Sequence, residues 1–157
     1  MDAEVPITQH GQAQGVPLPM PVALRDRIGQ MIMVGFRGLT PLEAQPTIRH
    51  IADGIVGAVV LYDMDAETGG PRNIQSREQL RDLLSALKAA SEIPILTTID
   101  AEGGFYHRLK EKYGFAAATP AAELGECGDL GVTRAAAASV AAQGPFAATS
   151  YCRRRSG

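Results

Sequence analysis

Two apolar runs constrain this chain more than anything else in it: IVGAVVLY, residues 55–62, and IPILTTI, residues 93–99. Each is rich in β-branched residues, short for a helix, and without polar alternation. Strands of that kind are buried on both faces, which calls for a parallel sheet with helices packed against it. Between the runs lies Ser76-Arg77-Glu78-Gln79, a capping-box pattern, followed by Leu80, Leu83, Leu84 and Leu87 at i, i+3, i+4 and i+7. Strand, helix and strand therefore follow one another as a parallel crossover requires.

The same alternation extends towards the N-terminus. Leu24, Ile28 and Met31 recur at helical spacing and run into MIMVGF, residues 31–36, an apolar run punctuated by Gly35 and Gly38. Thr40-Pro41-Leu42-Glu43 supplies a cap residue, a proline at the first helical position and a glutamate three after the cap. Ile48 and Ile51 continue that helix, Pro46 breaks or restarts it, and Gly54 closes it. Beyond residue 99 a stretch rich in Ala and Pro leads to a last helix over residues 130–143. The order is βαβαβ and then a helix: an α/β fold, either an open doubly wound sheet or part of a (β/α)8 barrel. In both, ligands meet the C-terminal ends of the strands, here residues 35–38, 63–73 and 100–108.

Composition removes several function classes. Fifteen Lys and Arg against 17 Asp and Glu leave a net charge of -2, with no basic stripe, so nucleic acid is not an expected partner. Cys127 and Cys152 are too few and too far apart for a disulfide scaffold or a zinc knuckle. Residues 1–20, with prolines at Pro6, Pro17 and Pro19, read as a flexible lead-in without a signal-peptide pattern. No apolar run approaches the ~18 residues that span a bilayer, so no membrane partner and a cytoplasmic location are expected.

The candidate sites are few. Asp63, Asp65 and Glu67 alternate like the start of a calcium loop, but the sixth position is Thr68 and the twelfth Ile74, so a solvated acidic loop is expected instead. No G-x-G-x-x-G run is present, and His10, His50 and His107 lack metal-ligand spacing, so neither a cofactor nor a metal is expected. Each histidine reads as a surface residue. Asp100 and Glu102 straddle one residue at the end of a buried strand and, in an extended chain, point the same way. Two carboxylates ~5 Å apart are the geometry of a retaining glycosidase. The other reading is that one of them caps the following backbone or pairs with Arg108.

Asp100-Ala101-Glu102-Gly103-Gly104, followed by Arg108-Leu109, resembles the D-x-E-G-G-x-x-x-R signature of the N-terminal (β/α)8 domain of glycoside hydrolase family 3, in its bacterial β-N-acetylhexosaminidase branch. IGQMIMVGFRG (residues 28–38), IVGAVVLY, TGGPRNIQSREQL (68–80), YGF (113–115) and PAAELG (120–125) extend the likeness in order. The resemblance implies the N-terminal portion of a TIM barrel, three to four βα units, over residues 21–143. It also implies a hydrolase of terminal β-linked N-acetylhexosamine, with an N-acetylglucosamine-containing glycan as partner. Within it, Asp100 accepts hydrogen bonds from sugar hydroxyls and Arg108 donates to the same sugar. Glu102, Gly103 and Gly104 form the supporting loop, whose glycines admit close approach of the backbone to the sugar.

Two departures shape the remaining expectations. Phe105-Tyr106 stands where the family has a basic residue followed by a small aliphatic one; rings can stack on a sugar but do not replace a charge. The family's Lys-His motif, Asp-His acid/base loop and nucleophilic aspartate find no counterpart after Gln143, where GPFAATSYCRRRSG has no periodicity. The expectation is an incomplete barrel of a truncated family member with no catalytic residue of its own, residues 144–157 forming an out-of-frame tail. A noncatalytic half-barrel that complements another polypeptide is the alternative, and an unrelated barrel enzyme using Asp100 and Glu102 is a third. An incomplete barrel exposes an apolar sheet edge, so self-association through that edge is also expected.

Overall fold

The computed structural model describes residues 23–143; the lead-in expected over 1–20 and the tail expected over 144–157, with His10 and Cys152, lie outside the described residues. The α/β alternation is present. Helix α1 (Leu24–Gly29) leads into strand β1 (Met33–Gly35), followed by α2 (Gln45–Ala52), β2 (Ala58–Leu61), α3 (Arg77–Ala89) and β3 (Leu96–Ile99). The strands are parallel in the order β1-β2-β3, with Val34 opposite Val59 and Val59 opposite Thr97. That sequential order is shared by one sector of a barrel and by one half of a doubly wound sheet.

One face of the sheet carries the core. Val59, Leu61 and Ile99 pack with Ile51 of α2 and with Leu80, Leu83, Leu84 and Leu87 of α3, all of them buried. Each fully buried aliphatic side chain there contributes about 1.5–3 kcal/mol relative to exposure. The other face, where Met33, Val60 and Leu96 point, is covered only in part: Met33 is 48% and Leu96 53% exposed, while Ala58 and Thr98 on the same face are buried. Parallel sheets are ordinarily covered on both faces, so this one is incompletely dressed.

The helix start of α3 follows its sequence signal directly, whereas that of α2 is shifted. Thr40 and Glu43 form the expected reciprocal box, the Glu43 N–H donating to Thr40 Oγ1 and the Thr40 N–H to Glu43 Oε2. The box closes a turn, and the regular helix restarts at Gln45 with Pro46 in its first turn, where a missing N–H costs nothing. Ser76 caps α3 by accepting from Gln79 N at 3.1 Å. The Gln79 amide reaches past the cap: its Oε1 accepts from Gln75 N and its Nε2 donates to Leu39 O and Asn73 O.

Strands β2 and β3 are shorter than their apolar runs. Before β2 the chain turns at Gly57 to dock on the end of α1, where a Cβ would lie 2.4 Å from Gln30 Cα. After β3 the Ala- and Pro-rich stretch contains more structure than its composition indicates. It holds 3-10 turns at Gly104–Tyr106 and Glu111–Tyr113 and a helix α4 (Ala121–Cys127), before the expected α5 (Leu130–Ala142). Neither α4 nor α5 has a fully buried residue.

Candidate functional site

The loops that follow the three strands gather at one end of the sheet. Asn73, fully buried, ties two of them together: its Nδ2 donates to Phe36 O and Gly38 O, and its Oδ1 accepts from Tyr62 N. Arg72 adds a bond from Nε to Phe36 O at 2.8 Å. A buried amide with both ends occupied holds adjacent strand ends in register, because any displacement strands several polar groups.

The third loop folds back on itself. Arg108 N donates to Asp100 O at 3.0 Å, and Ala101 and His107 form an antiparallel bridge. Gly103 makes the return possible: its φ is +79°, and a Cβ there would lie 2.4 Å from Thr119 O. Asp100 and Arg108 are thereby brought together, with Arg108 Nε 3.5 Å from Asp100 Oδ2. That Nε–H has no hydrogen-bond acceptor among the described residues. The Asp100 side chain remains 37% exposed, so the pair faces solvent on one side.

Glu102 goes elsewhere. It is exposed and, with Ala101 and Gly103, lines an apolar groove of about 610 Å³ against α4 and α5. Asp100 meets Arg108 while Glu102 lines the groove, so the carboxylates two residues apart have different surroundings. Of the two readings of this stretch, pairing of Asp100 with Arg108 is the one the geometry contains.

The acidic loop after β2 is not solvated as expected. Asp63 is 1% and Asp65 3% exposed; only Glu67 reaches solvent. Asp65 pairs with Arg37 and accepts from the backbone N–H groups of Glu67 and Thr68. The hydrogen bond from Arg37 holds the Asp65 carboxyl well below the usual carboxylate range, and the same bond raises the Arg37 guanidinium. Asp63 lies 3.3 Å from Arg108 Nη1 and 2.6 Å from Lys110 Nζ. These carboxylates are buried because cations from other loops neutralise them, a pairing that local composition does not encode.

Aromatic rings complete the arrangement. The Arg108 guanidinium lies 5.7 Å from the centre of the Tyr62 ring and 5.9 Å from that of Tyr106, and Arg72 lies over Tyr62 at 5.1 Å. Phe105 and Tyr106 meet edge to face with ring centres 5.1 Å apart, Phe105 projecting into solvent.

His50 is exposed as expected, but His107 is buried at 4% exposure, because the bridge to Ala101 folds its ring inward. Neither ring nitrogen has a hydrogen-bond partner among the described residues. Burial lowers its pKa, the Lys110 charge reinforces the shift, and a backbone contact at Leu109 opposes it. Asp63 and Tyr62 were not singled out by sequence as neighbours of Arg108, nor Lys110 as a partner of Asp63, nor Arg37 as a partner of Asp65. For Asp63, Tyr62 and Arg37 the signal is position, just past the ends of β2 and β1.

No family model matches the chain. Over 95 residues, 60% of its length, it is 36% identical to a beta-hexosaminidase of Xanthomonas euvesicatoria pv. vesicatoria (strain 85-10), covering 25% of that protein. Over 85 residues, 54% of its length, it is 34% identical to a beta-hexosaminidase of Methylobacillus flagellatus, covering 22% of it. A beta-hexosaminidase of Xylella fastidiosa (strain M23) is 36% identical over 83 residues, 53% of this chain and 22% of that one. The chain spans about a quarter of the length of the curated relatives it matches. No helix among the described residues is long and apolar enough to cross a membrane. The chain is thus related, over somewhat more than half its length, to bacterial beta-hexosaminidases, a glycoside-hydrolase-like relationship.

Proposed function

We propose that the chain carries part of the sugar subsite of a glycoside hydrolase family 3 enzyme, built on the first three βα units of a (β/α)8 barrel. The bound group is a terminal β-linked N-acetylhexosamine. One observation supports this reading above the others: a partly exposed Asp100 ion-paired with Arg108, the two side chains 37% and 16% exposed at the end of the sheet. A carboxylate and a guanidinium side by side, one accepting and one donating, match adjacent hydroxyls of a pyranose. The Phe105 and Tyr106 rings offer an apolar surface beside them. Gly103 supplies the turn and Glu102 the outer wall of the loop.

In this reading Asp100 and Arg108 hold the sugar, and no bond-breaking step is assigned to Asp100, Glu102 or Arg108. Titration with N-acetylglucosamine, followed by amide NMR, tests the proposal. Saturable shifts around residues 100–108 that vanish in Asp100→Ala and in Arg108→Ala are expected. Turnover of an aryl β-N-acetylglucosaminide that Asp100→Ala and Glu102→Ala abolish would overturn it.

The partly covered sheet face favours a second reading, a noncatalytic half-barrel that associates through its open sheet. Met33 and Leu96 lie on that face on either side of Ala58, in register across the three strands. Sedimentation over a range of concentrations is expected to show reversible association that Leu96→Lys abolishes; a monomer at every concentration rules this reading out.

A further inference from the structure

We infer that Asp63 is a positioning residue that aims Arg108 at the sugar. The inference rests on the reading that Asp100 and Arg108 hold that sugar, and it adds a residue from a different strand. Asp63 follows β2, whereas Asp100 and Arg108 belong to the loop after β3. Its side chain is 1% exposed, so it does not meet a ligand; it acts on what does.

The geometry divides the guanidinium between two tasks. Asp63 Oδ1 takes Nη1 at 3.3 Å, while Nε lies 3.5 Å from Asp100 Oδ2 without a hydrogen bond. Nη1 is therefore spent on the interior and Nε is buried as well, so the part of the guanidinium that can meet a ligand is the remainder of a side chain 16% exposed. The rings of Tyr62 and Tyr106 lie near the same group and limit its swing. Lys110, 2.6 Å from Asp63 Oδ2, occupies the second carboxylate oxygen. With one oxygen on each cation, Asp63 cannot follow Arg108 outwards, so the arginine stays where it was placed. A neutral residue at position 63 would keep the shape and release the arginine, whose long side chain then samples many rotamers.

Asp63→Asn preserves volume and removes the charge. N-acetylglucosamine affinity should fall about tenfold, the scale of one charge-assisted hydrogen bond. Arg108→Ala should fall at least as far, and the double variant no further than Arg108→Ala alone. Additive losses would mean that Asp63 acts independently of Arg108 and would overturn the inference. A second readout does not depend on sugar: the Nε–Hε resonance of Arg108 should exchange with water about tenfold faster in Asp63→Asn. If the wild-type chain binds no sugar but this resonance responds, the sugar reading fails and the positioning role stands. If the resonance is unchanged in Asp63→Asn, the positioning role fails. Should Asp63→Asn not fold, the wild-type protein decides: separate Nη1 and Nη2 resonances for Arg108 support the inference, and a single averaged one overturns it.

Discussion

The two helical regions of this chain have nearly opposite constructions. Helix α3 buries four leucines against the sheet, each less than 5% exposed, whereas α5, of the same 13-residue length, buries none. Both start with a side-chain cap, Ser76 on α3 and Asp129 on α5. Local signals therefore make either segment a helix, and only packing makes one of them part of the core. The loop carrying Asp100 and Arg108 lies at the seam, its strand side fixed by β3 and its far side lining the groove against α4 and α5.

The largest expected effect is on the packed side. Leu83→Ala should cost about 2–5 kcal/mol, read as a lower urea midpoint, because a cavity opens against the sheet. Val140→Ala in α5 should stay within about 0.5 kcal/mol, as for a surface substitution. Equal losses would show that α5 is packed as α3 is.

Gly103→Ala tests the seam itself. The residue would meet Thr119 O at 2.4 Å with a φ of +79°, and the expected cost is about 1–3 kcal/mol together with lost sugar binding. An unchanged midpoint would mean that the loop relaxes away from α4.

The caps offer a smaller and more direct contrast. Ser76→Ala should lower global stability by about 1 kcal/mol. Asp129→Ala should reduce helicity over α5 without moving the global midpoint, and amide hydrogen exchange resolved by residue separates the two effects.

The smallest effect is a pH dependence at the seam. The folded pKa of His107 is pushed below its ordinary 6.5 by burial. Between those two values the unfolded chain binds a proton that the folded one refuses, so stability falls as pH drops through 6.5 towards the folded value. His107→Leu should flatten that slope between pH 7.5 and 5.5 in urea titrations. Asp65, depressed from 3.8 chiefly by its bond to Arg37, acts in a separate window. Its contribution is full above 3.8 and is lost only as pH falls below that value, so it does not mask His107.

Much of the fold was legible before any coordinate. The two apolar runs, the leucines at 80, 83, 84 and 87, and the cap at Ser76 each act over a few residues, and each produced the expected element, whereas the box at Thr40 closed a turn ahead of α2. The helix over 121–127 was not legible, because Ala, Glu and Gly carry no apolar stripe there. The burial of Asp63, Asp65 and His107 was not legible either. Their polarity argues for solvent, and what reverses it arrives from other loops: Arg108 and Lys110 for Asp63, Arg37 for Asp65, the bridge to Ala101 for His107.

By itself, then, the sequence determined the order and type of the main elements and the strand ends where ligands meet such a fold. It also carried the signature stretch from Asp100 to Arg108. Periodicity and capping are properties of neighbouring residues, and they survive without tertiary contacts. Only the tertiary structure decided that Asp100 turns to Arg108 while Glu102 does not, and that Asp63 reaches the same arginine from an adjacent strand. Ion pairing across loops depends on distance in space, which strand register and a glycine turn set and which the order of residues does not state.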